Sequence, residues 1–327
     1  MRSSITSSLI VLALLAVGCA PGGGSAATDR LPVVATTTQV GSVAREVGGD
    51  AIDLTVLLQP GAEAHDYEMT PADAAAVEDA ALVLRSGAGL EGWLDESLAT
   101  IGSDAAIVDL SEGIELREPG EGEPAHEEEE PGHSGEGEEH EVDPHYWLSG
   151  PNAIQMVGSV AAALGDASPE DASAFDERAA TLVGRLEAAD AEVRALMDEI
   201  PEDRRGIVTN HDALGYFIEE YGLRFVGSVF PNLDVSAEPS PQELAELIET
   251  IREEGVKVVF AESSVNSKVE RAIADEAGAE VGPPLWADAL GPEGSGGATY
   301  LESIASNSEV MVDGVTDGAV SCAPAAR

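Results

Sequence analysis

Short β-branched runs alternate with capped, helix-like segments twice along this chain, and one long helical pattern separates the two series. This alternation restricts the fold more than any other feature, because strand, helix, strand units build a parallel sheet with helices on its faces. In the first series, residues 33–38 (VVATTT), 52–58 (IDLTVLL), 81–84 and 105–110 read as strands. Helical stretches lie over 39–47, after Thr70-Pro71-Ala72-Asp73 with its capping-box chemistry, and around Trp93. In the second series, 206–209 (GIVT), 225–230 and 256–260 (VKVVF) read as strands. Residues 212–221 (DALGYFIEEY) have helical spacing up to Gly222, and Ser240-Pro241-Gln242-Glu243 opens a helix that Gly255 stops. Between the series, residues 169–200 are rich in Ala, Glu, Leu and Arg, with Phe175, Leu182, Leu186, Val193 and Met197 at near-helical intervals. The expected fold class is therefore α/β: two lobes, each a parallel sheet flanked by helices, joined by one long rigid helix.

The N-terminus follows a different logic. Arg2 precedes an uninterrupted apolar run at 9–17, whose nine residues are too few to span a bilayer but suit the core of a signal peptide. The run ends in Leu15-Ala16-Val17-Gly18-Cys19, which resembles the lipobox of bacterial lipoproteins. That resemblance implies cleavage before Cys19, a lipid on its sulfur and an extracytoplasmic, membrane-anchored protein. With Cys19 acylated, Cys322 is left without a partner for an intramolecular disulfide. The expected organisation is a signal peptide at 1–18, a lipid-anchored flexible linker at 19–30, an N-terminal lobe at 31–150, a linking helical region at 151–203, a C-terminal lobe at 204–315 and a tail at 316–327. Within the first lobe, 118–141 is dominated by Glu, Gly and Pro, a composition expected to form a disordered acidic loop.

Charge excludes one class of partner. The chain has 62 Asp and Glu against 16 Lys and Arg, a formal net charge of −46. Such a surface repels nucleic acid and anionic lipid and concentrates cations.

The six histidines fall into two groups. His126, His133 and His140 belong to the acidic loop, where low-affinity metal collection and a solvated spacer are both open readings. His65 lies in the loop after the second strand, His145 in Asp143-Pro144-His145-Tyr146-Trp147, and His211 follows the strand ending at Thr209 and begins a helix. Ligands of open α/β sheets bind beyond the carboxyl ends of the strands, where His65, His211 and Asp288 all map. Three imidazoles and a carboxylate would make a four-ligand site for a borderline divalent cation. Glu63, two residues before His65, could offer a further carboxylate, although a solvated loop residue is the plainer reading. Asp143 reads equally as a partner that orients His145 and as a turn former.

The motifs QPGAEAHDYEMTPAD, DPHYWLS, NHDALGYFIEEYGL, AEPSPQELAELIETIREEGVKVVFAES and LWADALGP occur in this order. From about residue 31 to about 311 the chain resembles the bacterial zinc- and manganese-binding solute-binding lipoproteins of ABC importers. The resemblance implies metal ligands at His65, His145, His211 and Asp288, with Zn2+ or Mn2+ as transported cargo. It also implies a permease partner in the membrane and a monomer that performs no catalysis. Three imidazoles favour zinc; the carboxylate keeps manganese open. The alternatives are a secreted metal-dependent hydrolase and a metal-binding adhesin or buffer. Against the metal hydrolase, the chain has no HExxH helix and the candidate site is closed by a fourth ligand; against a Ser-His-Asp hydrolase, it has no GxSxG elbow at a strand-helix junction.

Overall fold

The computed structural model describes residues 30–118, 142–233, 239–316 and 318. The first sheet is built from β1 (Leu31–Ala35), β2 (Ile52–Val56), β3 (Leu82–Arg85) and β4 (Ala106–Asp109), all parallel, in the order β2-β1-β3-β4. The second uses β5 (Gly206–Thr209), β6 (Arg224–Ser228), β7 (Val258–Val259) and β8 (Glu280–Val281), in the order β6-β5-β7-β8. The two orders are the same topology, so each sheet changes winding direction beside its first strand. Crevices at such switch points are where doubly wound sheets bind ligands.

Helices α1 (Thr38–Gly48), α2 (Pro71–Asp79) and α3 (Gly92–Ile101) belong to the first lobe. Helices α4 (Gly150–Ala167) and α5 (Ala172–Asp198) follow, then α6 (Gly215–Tyr221), α7 (Pro241–Glu254), α8 (Lys268–Ala277) and α9 (Tyr300–Val315). Local chemistry fixes the ends. Thr70, Ser240 and Thr299 each form a complete capping box with the acid three residues on, and Gly222, Gly255 and Gly278 end their helices in the left-handed region. The long helix expected over 169–200 is α5, 27 residues and about 40 Å at 1.5 Å per residue. Its Phe175, Leu182, Leu186, Val193 and Met197 are all buried, against neighbours that include α1, α4 and α9.

Two expectations are corrected. The helix expected from Asp212 starts at Gly215, because residues 211–213 bend to carry His211 out of the strand before the helix begins. The strand expected over 256–260 pairs only at Val258–Val259. The main apolar core takes residues from both lobes, including Val33 and Leu84 of the first and Ile207, Phe217 and Phe260 of the second. Hydrogen bonds also cross between lobes: Gln39 Nε2 to the Ala287 carbonyl at 2.8 Å, Trp147 Nε1 to the same carbonyl at 3.1 Å, and Leu290 N–H to Thr38 Oγ1 at 2.8 Å.

Candidate metal centre

Four chain segments deliver side chains to the carboxyl ends of the two sheets. His65 comes from the loop after β2, where Gly61 at φ 75° turns the chain and donates its N–H to Leu290 O at 3.1 Å across the lobes. His145 precedes a short turn of 3-10 helix at Tyr146–Leu148, and Ser149 then caps α4 by accepting from Asn152 N. His211 follows β5, held by Thr209 Oγ1 donating to the His211 carbonyl at 2.7 Å. Asp288 follows β8 and the Glu262–Leu285 bridge. Each residue offers one ligand atom, and these atoms all lie within 4.8 Å of one another.

The rings aim their Nε2 atoms inward. His145 Nε2 lies 3.2 Å from His65 Nε2, 3.5 Å from His211 Nε2 and 3.3 Å from Asp288 Oδ1, while His211 Nε2 lies 3.6 Å from Asp288 Oδ2. A tetrahedron with metal–nitrogen bonds of 2.0–2.1 Å has edges of about 3.4 Å. The separations about His145 Nε2 are close to that edge, as a four-coordinate cation requires, within a cluster that spans up to 4.8 Å. Both Asp288 oxygens are buried and make no well-formed hydrogen bond.

The outward nitrogens are held by carboxylates. Asp143 Oδ1 sits 2.8 Å from His145 Nδ1 and also accepts the His145 backbone N–H at 2.9 Å; Glu262 Oε1 sits 2.7 Å from His211 Nδ1. Such partners fix the tautomer and raise the basicity of the inward nitrogen. Asp143 thus serves as the orienting partner. Glu262 was missed in the sequence, although its place directly after the 256–260 run was the signal available.

Burial and charge compete here. Burial alone would lower the His145 imidazolium, but the hydrogen bond to Asp143 and the close negative charges of Asp143 and Asp288 outweigh it and lift it to about 10. His211 is likewise lowered by burial and raised overall to about 9 by Glu262 and Asp288. Burial would raise Asp288, yet His211 and His145 hold it well below the usual carboxylate range. Glu63 is half-buried rather than solvated. Burial first, then the Asp288 charge, lift it to about 7, and its Oε2 is shielded without a hydrogen-bond partner. Cys19, His126, His133 and His140 lie outside the described residues.

Two similar parallel sheets, bridged by a long helix and converging on a three-histidine, one-aspartate cluster buried at His145, His211 and Asp288, define a two-lobed solute-binding protein of the metal-uptake class. The profile of the periplasmic zinc-uptake complex component A (ZnuA) matches residues 33–314, and the chain belongs to that family. Members are solute-binding components of ABC metal uptake, not enzymes. The chain is 30% identical over 309 residues to the manganese-binding lipoprotein MntA of Bacillus subtilis, covering 92% of this chain and 95% of that protein. It is 30% identical over 312 residues to the iron-binding protein YfeA of Yersinia pestis, covering 95% and 92%. Among solved structures, the periplasmic zinc-binding protein TroA of Treponema pallidum superposes with a TM-score of 0.77 at 26% identity, covering 88% of this chain and 99% of that one.

Proposed function

We propose that this protein captures one divalent transition metal, zinc before manganese, through His65, His145, His211 and Asp288, and hands it to the permease of an ABC importer. The observation that carries this reading is the convergence of the four side chains, whose ligand atoms all lie within 4.8 Å of one another, with separations of 3.2–3.5 Å about His145 Nε2. Three imidazoles suit zinc, whereas carboxylate, carbonyl and water ligands suit manganese. Four protein donors also close the site, so no position is left for the activated water of a hydrolase. The membrane enters through Cys19, which we take as the lipid attachment site. Among the described residues, no helix is long and apolar enough to cross a bilayer. The protein is proposed to act as a monomer. His126, His133 and His140 are proposed as accessory collectors of metal.

One observation favours manganese as the second reading. The shielded Glu63 Oε2 would add an oxygen donor beside Asp288 and raise the coordination number. The relatives named above bind manganese and iron as well as zinc, according to their names.

Native mass spectrometry of the purified protein separates the readings. One zinc per chain, lost in His211→Ala and not displaced by excess manganese, is the expected result. Manganese held in the presence of limiting zinc would reverse the preference, and the absence of any stoichiometric metal would overturn the proposal. Deleting residues 118–140 tests the collector role separately. Unchanged zinc uptake at limiting supply would remove it.

A further inference from the structure

Behind the two buried histidines lies a contact between the lobes that the metal cluster itself does not require. Arg117, buried at the end of the first lobe's described chain before residue 119, directs Nη1 to Asp143 Oδ2 at 2.8 Å. The other oxygen of that carboxylate holds His145 Nδ1. The same arginine lies against the second lobe. A Cβ on Gly215 would stand 1.4 Å from Arg117 Nη1 and 2.2 Å from its Cζ, so the guanidinium fills the notch that glycine leaves at the start of α6. Gly215 is four residues after His211 and opens α6, just after the bend that carries His211 out of β5.

The neighbouring tyrosine completes the junction. Tyr216 donates its hydroxyl to the Asp143 carbonyl at 2.8 Å and accepts the Arg117 N–H at 3.0 Å, and its ring lies 5.7 Å from the guanidinium carbon. The Asp143 N–H in turn reaches the Arg117 carbonyl at 2.9 Å. Arg117, Asp143 and His145 therefore move as one block, and that block is keyed into the segment carrying His211. Guanidinium is suited to this work, because it stays charged and its planar fork can bond a carboxylate along one edge while its face packs.

We infer that Arg117 is a positioning residue which, seated between Asp143 and Gly215, sets the distance from His145 to His211 and so sets metal affinity. This rests on the metal-binding reading above and adds a specific inter-lobe control to it. A positioning partner of a metal-bound histidine changes affinity by about 10–100-fold when removed. The geometry makes a sharper demand: Gly215→Ala should harm the site only while the arginine is present.

The test measures zinc affinity by competition with a chromophoric chelator, the visible spectrum of the Co2+ form, and the unfolding midpoint of the metal-free protein. Arg117→Met and Gly215→Ala should each weaken zinc by about 10–100-fold and shift the Co2+ bands. The double variant should bind no worse than Arg117→Met alone, because the methyl then enters the space the guanidinium left. That non-additivity is the signature of direct coupling. Arg117→Lys keeps the charge without the fork and should fall between wild type and Arg117→Met. If Arg117→Met does not fold, Gly215→Ala and Arg117→Lys decide the matter. Wild-type affinity and Co2+ spectrum in folded Gly215→Ala would overturn the inference. So would additive losses, or losses that track only the unfolding midpoint. Wild type that takes up neither ion overturns the metal-binding reading itself, whereas tight wild-type binding with unchanged variants overturns only the role of Arg117.

Discussion

At the scale of single residues, the cluster stores protons where we propose that a cation sits. His145 at about 10 and His211 at about 9 both carry a proton at neutral pH in the metal-free protein. Metal ligation needs the neutral imidazole, so binding expels those protons. With two protons released, affinity should rise by about 100-fold per pH unit between about pH 6 and 8, by about 10-fold per unit between about pH 9 and 10 once His211 has deprotonated unaided, and level off above about pH 10. Competition titrations across that range check this, and a slope near zero would refute it. The fold itself responds with the opposite sign. Raised histidine pKa values contribute stability that is fully present below the unfolded value of about 6.5 and is lost as pH climbs through about 9 to 10. Mild acid therefore loosens the metal without weakening this part of the empty protein. Much of the cluster was legible in the sequence, because His65, His211 and Asp288 fall beyond strand ends and His145 sits in a turn rich in signals. Glu63 was misread, because its burial depends on a contact between Gly61 and Leu290 that lies 229 positions away in sequence. The Arg117–Tyr216 junction was beyond reach for the same reason, since only tertiary folding brings residues 99 positions apart together.

At the scale of elements, α5 carries the largest mechanical load. Leu186 is 1% exposed on a helix that packs against α1, α4 and α9, so Leu186→Ala should cost about 2–5 kcal/mol. Urea unfolding of the metal-free protein would measure it, with metal stoichiometry expected to stay at one under native conditions. A loss below about 0.5 kcal/mol would mean the helix is less tightly packed than described. The pattern of apolar residues announced this helix plainly. The start of α6 was harder, because Asp212, Ala213 and Leu214 have helical composition yet are spent on turning His211 toward the cleft. The shortness of β7 was equally unreadable. A β-branched run specifies an extended chain, while pairing depends on where its neighbours end.

At the scale of the whole molecule, self-repulsion from a net charge of −46 opposes the compact state. Screening shortens from about 10 Å at 0.1 M salt to about 3 Å at 1 M, so the melting temperature should climb by several degrees over that interval. Salt-independent melting would sink this expectation. The apolar core running beneath both lobes has a different implication. Two sheets of identical topology invite the thought of two independent halves, yet a chain cut after α5 would expose the face that Tyr216, Phe217 and Phe260 now cover. Neither half is a portable module. Heating should melt both sheets in one calorimetric transition, so damage in one lobe is felt as lost occupancy by the ligands of the other.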